Sequence, residues 1–176
     1  DKLEKNGMEE NTVVIFCSDH GDYCGEHGLF CKGVPAFDSA YKVPLIIRYP
    51  QEIKNEGRSE EALISLTDLR PTILDLAGIH HNSETYPGCS LLNFLHNKAP
   101  DNWRESIFMQ CNGVELYYTQ RIIRTKQYKL VYNGYDTDEL YDMENDPDEI
   151  QNLASLSEYK NIKQKLYSLL WQRAYE

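Results

Sequence analysis

Asn11-Thr-Val-Val-Ile-Phe-Cys-Ser-Asp-His-Gly-Asp-Tyr-Cys-Gly-Glu-His-Gly-Leu-Phe-Cys-Lys-Gly33 is the stretch on which the reading of this chain turns. Residues 12–17 are a short, continuous apolar run rich in β-branched side chains, with Asn11 before it and a glycine-punctuated loop after it. A buried strand of a parallel sheet reads this way, and periodicity alone leaves a helix segment open. Asp19 and His20 stand side by side at the carboxyl end of that run, followed at once by Gly21. In open α/β sheets, ligands gather beyond the carboxyl ends of the strands. A carboxylate and an imidazole fixed there can offer an oxygen and a nitrogen to one cation. Gly21, Gly25 and Gly28 let backbone approach a ligand closely. Lys32-Gly33 then closes the loop with a mobile ammonium on a flexible stem. A metal-binding pair with a cation nearby points to a site for an anionic ester.

Taken singly, each of these residues has an ordinary reading. An Asp-His dipeptide is most often a turn or a helix start. His27 alone is a loop residue with satisfied hydrogen bonds, and Lys32 alone is a solvated surface charge. The combination carries more weight: strand, Asp-His pair, glycine loop, Lys-Gly, and then a second strand-like run, Val43-Pro-Leu-Ile-Ile-Arg48. Pro44 near its start is compatible with a first strand position or an edge.

Ser18-Asp-His-Gly-Asp-Tyr-Cys-Gly-Glu-His-Gly-Leu-Phe-Cys-Lys-Gly33, followed by Phe37-Asp-Ser-Ala-Tyr-Lys-Val-Pro-Leu-Ile-Ile47, resembles the second metal-binding segment of the sulfatases of the alkaline-phosphatase superfamily. The Asp-His pair and the Gly-Glu-His-Gly loop resemble the iduronate-2-sulfatase type in particular. The resemblance continues through Ile64-Ser-Leu-Thr-Asp-Leu-Arg-Pro-Thr-Ile-Leu-Asp-Leu-Ala-Gly78 and Gly88-Cys-Ser-Leu-Leu92. It ends in Arg124-Thr-Lys-Gln-Tyr-Lys-Leu130 and Glu139-Leu-Tyr-Asp-Met-Glu-Asn-Asp-Pro-Asp-Glu-Ile-Gln-Asn-Leu-Ala154. Nearly the whole chain is covered, in the family's order.

The resemblance implies an α/β fold: the C-terminal part of an alkaline-phosphatase-like sandwich, with parallel strands and helices, over residues 1–102. A small antiparallel sheet with a covering helix follows over residues 103–176. It implies that Asp19 and His20 ligate a divalent cation, calcium in most sulfatases. Calcium prefers all-oxygen shells, so a histidine ligand leaves magnesium or manganese open. Lys32 would contact the sulfate oxygens and stabilise charge as the S–O bond breaks, in the manner of an oxyanion hole. His27 is a weaker candidate for substrate contact or leaving-group protonation, since an imidazole can both accept and donate a hydrogen bond. The implied substrate is a sulfated small molecule or glycan, in a secreted, periplasmic or lysosomal setting. Sulfatases also carry a consecutive acidic metal pair and a Cys- or Ser-x-Pro-x-Arg segment whose first residue becomes the formylglycine nucleophile. This chain has no Asp-Asp pair, and none of its five cysteines is followed by x-Pro-x-Arg. The expectation is therefore a C-terminal fragment, inactive alone, that needs the N-terminal half of the same protein. A phosphate or phosphonate monoester hydrolase of the same superfamily is the alternative, and a non-catalytic binding or structural domain is the third reading.

Composition agrees. The 176 residues carry 18 basic and 28 acidic side chains, a formal charge of −10. That balance argues against nucleic acid or an anionic membrane surface as the main partner. The longest apolar runs are strand-sized, far below the roughly 20 residues of a membrane helix. None of Cys17, Cys24, Cys31, Cys89 and Cys111 forms a Cys-x-x-Cys pair. The first three recur every seven residues near the candidate site, but structural zinc sites show tighter spacing. Buried free thiols are the expected state.

Along the rest of the chain, a helix tail should end at Gly7 and a helical face should run through Leu66, Leu69, Ile73, Leu74 and Leu76. Thr67 or Asp68 is its expected N-cap, Pro71 lies in the first turn, and Gly78 is the C-cap. His80-His81 follow in a polar loop, without an evident acidic or thiol partner. Residues 106–111, 121–125, 128–132 and 139–142 read as strands, with Asn133-Gly134 as a hairpin signal. Tyr159, Ile162, Leu166, Leu169 and Leu170 mark one face of a last helix. Leu116-Tyr-Tyr118 could stack on a sugar, although core packing is the commoner use of such residues. The acidic run 136–149 lacks the residue order of a calcium-binding EF-hand loop.

Overall fold

The computed structural model describes residues 2–53, 57–82, 87–113, 118–134 and 136–175. Leu116 and Tyr117 of the tyrosine-rich segment lie outside the described residues. The chain groups into two compact units, each discontinuous in sequence: Asp1–Asp19 with Pro44–Trp103, and His20–Val43 with Arg104–Glu176.

In the first unit, α1 (Lys2–Lys5) ends as expected at Gly7, whose φ of 63° turns the chain back so that Met8 N–H donates to Leu3 C=O. Strand β1 (Val14–Cys17) pairs with β2 (Leu45–Arg48), aligning Phe16 with Ile46 and Cys17 with Leu45. The pairing is antiparallel, which corrects the parallel arrangement expected from the unbroken apolar run. The run is not buried on both faces either, because Phe16 is 59% and Ile46 60% exposed. Length and β-branching fix a strand but not the direction of its neighbour.

The α3 helix (Leu69–Leu76) is entered through a 3-10 turn, Leu66–Asp68, whose N-cap is Ser65. Asp68 supplies the acidic half of a capping box, its Oδ2 accepting from Ser65 N–H at 2.7 Å. Its Oδ1 accepts from Cys89 N–H at 2.8 Å, and Thr72 Oγ1 accepts from Leu91 N–H at 2.8 Å. The helix thus buries a partly polar stripe, Asp68, Pro71 and Thr72, while Ile73 of the expected apolar face is half exposed. The docked partner is backbone, so hydrogen-bonding side chains face inward and hydrophobic periodicity misses them. A Cβ on Gly88 would sit 2.3 Å from Thr67 O, so the segment leading into α4 (Leu92–Leu95) lies against the helix entry at glycine's limit. Asp68→Ala would leave the Ser65 and Cys89 amides without their acceptor. We expect it to cost about 2 kcal/mol, read from the shift in urea midpoint. A change indistinguishable from zero would mean the carboxylate does not organise this turn.

The second unit is built on a four-stranded antiparallel sheet in the order β3 (Ser106–Cys111), β4 (Gln120–Thr125), β5 (Tyr128–Tyr132), β6 (Glu139–Asp142). These are the four expected strands, within one residue at the ends. Side chains alternate across the pleat. Ile123, Leu130 and Leu140 point to the face covered by α5 (Lys160–Ala174), where Leu166 and Leu170 meet them. Ile122 and Val131 point to the other face, which Ala36 and Tyr41 cover. A short helix, α2 (Asp38–Tyr41), lies in that covering segment. With both faces covered, adjacent core residues such as Ile122-Ile123 are each fully buried. Among the described residues no helix is long and apolar enough to cross a membrane.

Candidate active site

The glycine loop is held at its root. Tyr23, 2% exposed, donates its hydroxyl to Pro35 C=O at 2.6 Å. Its N–H donates to Cys31 C=O at 2.8 Å, and Gly25 N–H donates to Leu29 C=O at 2.8 Å. These two bonds pair the limbs of the loop and leave a one-turn 3-10 helix, Glu26–Gly28, at the tip. Gly21 N–H donates to Ala40 C=O at 2.9 Å, and a Cβ at Gly21 would lie 1.9 Å from Ser39 O. Backbone meets backbone there, and no larger residue fits.

Of the four residues singled out from sequence, the structure brings His20 and Lys32 into direct contact. Lys32 Nζ lies 2.7 Å from His20 Nε2, and His20 Nδ1 lies 2.8 Å from Gly21 O. A carbonyl oxygen can only accept, so Nδ1 carries the ring hydrogen and Nε2 offers its lone pair to the ammonium. The Gly21 carbonyl therefore orients the ring and selects its tautomer, as second partners of metal-binding histidines commonly do. Lys32 holds the lone pair that a metal would use.

Asp19 and His20 fall on opposite sides of the division between the two units, Asp19 ending the first segment of one and His20 beginning the other. His27 is exposed in a left-handed conformation (φ 52°) and stacks on Phe37, with ring centroids 3.6 Å apart and planes 6° apart. Among the described residues, no three His, Cys, Asp or Glu side chains gather so as to hold a metal ion. Of the residues singled out, Asp19 and His20 could offer one oxygen and one nitrogen, part of a metal shell. Cys17, Cys24, Cys31 and Cys89 are exposed free thiols, not the buried ones expected, because they lie on an uncovered strand and on loops. Cys24 N–H donates to Asp22 Oδ1 at 2.8 Å, which holds that carboxyl below its usual range. In return, a hydrogen bond from the Cys24 thiol to Asp22 pushes the thiol up, away from thiolate chemistry. His81, expected to lack an acidic partner, pairs through Nε2 with Asp75 Oδ1 at 3.0 Å in the other unit, one helix end anchoring the next loop.

The family model of the N-sulphoglucosamine sulphohydrolase C-terminal domain matches residues 25–176. The chain belongs to this sulfatase family. Its relatives are sulfatases of the alkaline-phosphatase superfamily. The chain is 37% identical over 178 residues to an N-acetylglucosamine-6-O-sulfatase of Bacteroides thetaiotaomicron, covering 96% of this chain and 31% of that protein. A solved protein in complex with its substrate D-glucosamine-2-N,6-O-disulfate superposes with a TM-score of 0.89 at 35% identity, over 97% of this chain and 35% of that one. The phosphonate monoester hydrolase of Agrobacterium radiobacter superposes with a TM-score of 0.86 at 29% identity, over 98% and 36%. The chain spans about a third of the length of the curated relatives it matches.

Two residues of the sulfatase loop escaped the sequence reading. Phe37 backs the His27 ring, and Tyr23 ties the loop root to Pro35. Aromatics inside a glycine loop are the available signal, since a loop with few packing residues gains most from burying them.

Proposed function

We propose that this chain serves a sulfuric ester hydrolase acting on a sulfated sugar, with the nucleophile supplied from outside these 176 residues. The observation that carries the reading is the contact between Lys32 and His20 inside the family's glycine loop. An exposed ammonium on a loop with a buried root is suited to meet the equatorial oxygens of a bound sulfate. It is also suited to neutralise charge developing on the bridging oxygen as the ester cleaves. Asp19 and His20 would supply one oxygen and one nitrogen ligand to a divalent cation, calcium by family habit, with magnesium or manganese compatible with the imidazole. When bound, such a cation would polarise the sulfate. His27 serves as a substrate-contact or proton-transfer candidate whose ring Phe37 orients. The compartment is secreted, periplasmic or lysosomal, and the 176 residues alone are inactive. Kinship to an N-acetylglucosamine-6-O-sulfatase, and likeness to a protein solved with a glucosamine disulfate as its substrate, support a sulfated glycan as substrate.

Phosphonate and phosphate monoesters are the second reading, favoured by the likeness to the phosphonate monoester hydrolases. The whole protein assayed side by side on 4-nitrophenyl sulfate, 4-nitrophenyl phosphate and a phenyl phosphonate monoester separates the two. We expect kcat/KM to favour the sulfate at least about tenfold, a transition-state preference of about 1.4 kcal/mol. A preference for the phosphonate would replace the first reading with the second.

A further inference from the structure

Lys129 sits in the middle of β5, yet it is fully buried. Its ammonium donates to Ala36 C=O at 2.7 Å and to Asp38 Oδ1 at 2.9 Å, reaching 93 and 91 residues back along the chain. It also pairs with Glu149 Oε1, and Glu149 Oε2 accepts from Asp38 N–H at 2.6 Å. Glu149 is 3% exposed and held at φ 56°, a conformation that L residues rarely adopt. The preceding turn keeps it there: Glu149 N–H donates to Asp146 C=O, and the Asp146 carboxylate accepts from Ile150 and Gln151 N–H. Burial pushes the Glu149 carboxyl up and the Lys129 ammonium works against that.

A buried ion pair is a poor way to stabilise a sheet, because an apolar pair of similar volume does as well or better. What this pair does is specify position. Three consecutive residues of the loop segment are pinned to the sheet by three different interactions. Ala36 packs on Ile122 and Val131. Phe37 lies between the His27 ring, at 3.6 Å, and Tyr141 of β6, at 6.2 Å. Asp38 is gripped by Lys129 and Glu149. The loop bearing His20, His27 and Lys32 leads directly into this tripeptide, and the Gly21 to Ala40 hydrogen bond closes it from the far side.

We infer that Lys129, with Glu149, is a positioning residue that fixes the Ala36-Phe37-Asp38 tripeptide, and through it the loop bearing His20, His27 and Lys32, at one place on the sheet. Its consequence for turnover rests on the sulfate-ester reading above, whereas its consequence for the loop does not.

Amide hydrogen exchange on the 176-residue chain tests it. The K129M/E149Q variant removes the Lys129 and Glu149 charges together, and the Asp38 carboxylate that loses its ammonium partner is partly exposed and open to water. The Gly21 and Tyr23 amides, bonded to Ala40 and Cys31, should exchange at least tenfold faster, while Leu130 and Leu140 in the sheet keep their protection. Unchanged loop protection would overturn the inference. Should loop and sheet accelerate together, Asp38→Ala decides, since it leaves the Lys129 to Glu149 pair in place. Faster loop exchange over an unchanged sheet then supports the inference, and any other pattern overturns it. In the whole enzyme the same variants should lower kcat more than they raise KM. Absence of sulfatase activity would bear on the functional reading and leave the exchange result standing.

Discussion

Leu130→Ala should lower the stability of the sheet unit by about 2–5 kcal/mol, a large share of the roughly 5–15 kcal/mol that holds a typical domain together. The residue is central to one row of side chains that crosses all four strands: Phe108 opposite Ile123, Ile123 opposite Leu130, and Leu130 opposite Leu140. Leu166 and Leu170 of α5 close over that row, and Leu130, Ile123, Leu140 and Leu170 are all fully buried. Truncation loses the transfer free energy of the removed atoms and leaves a cavity that a helix docked at several points cannot collapse into. Ile150→Ala serves as the comparison, since Ile150 is 75% exposed and its change should stay within about 0.5 kcal/mol of zero. Urea unfolding followed by tryptophan emission measures both, Trp171 lying against Tyr132 at 5.1 Å in this unit. The midpoint should fall for Leu130→Ala with an unchanged slope. A loss below about 1 kcal/mol would mean that α5 does not seal this face.

The same row explains why the sheet was legible in the sequence. Each strand is bounded by turn-forming residues and each has inward positions spaced by two, so strand existence and ends follow from local chemistry. The last helix was legible for the same reason, its apolar positions recurring at helical spacing and meeting a sheet already apolar on that side. Where partners were polar or remote, the reading failed. Asp68 and Thr72 face inward because they accept from backbone amides near positions 89 and 91, which no hydrophobic pattern reports. The direction of β2 against β1 is a property of two distant segments, and an apolar run is compatible with either. Lys129 reads as an outward solvent residue until its parity is noticed: it shares a face with Val131, two residues on, and Val131 is core. A lysine in step with a buried valine signals a buried cation. Its acceptors at Ala36 and Asp38 were not visible from spacing.

The candidate site divides along the same line. Glycines, the Asp-His pair and Lys32 single out one loop from the sequence, and the structure brings His20 and Lys32 of that loop together. The direct contact of Lys32 with the His20 lone pair was not legible, since it depends on Gly21 O selecting the ring tautomer and on the loop limbs pairing at Tyr23 and Gly25. Asp19 and His20, adjacent in sequence, end in different compact units. Adjacency in a chain fixes a distance between backbones and leaves the aim of two side chains to the folds on either side.

Lys32→Met should lower kcat/KM of the whole enzyme on sulfate esters by about 10²–10³-fold, the loss seen when one donor to a developing oxyanion is removed. In the proposed site the ammonium would meet the negative charge of the ester, and a methionine of similar length removes the charge while keeping the bulk. If the lysine acts on the bridging oxygen, its value must rise with the charge that oxygen carries in the transition state. Sulfates of poor leaving groups, such as alkyl alcohols, should then lose more than 4-nitrophenyl sulfate, and the loss should fall on kcat. A loss confined to KM and equal for every leaving group would show that Lys32 binds ground-state sulfate and transition state alike, and the catalytic assignment would fail. A second readout needs no turnover. With Nζ gone, the His20 Nε2 lone pair loses its 2.7 Å donor, so the nitrogen-15 resonance of that atom in the 176-residue chain should move, while the Nδ1 resonance, held by Gly21 O, stays. An unmoved Nε2 signal would mean that lysine and histidine do not meet in solution, and the site would have to be rebuilt from its other residues.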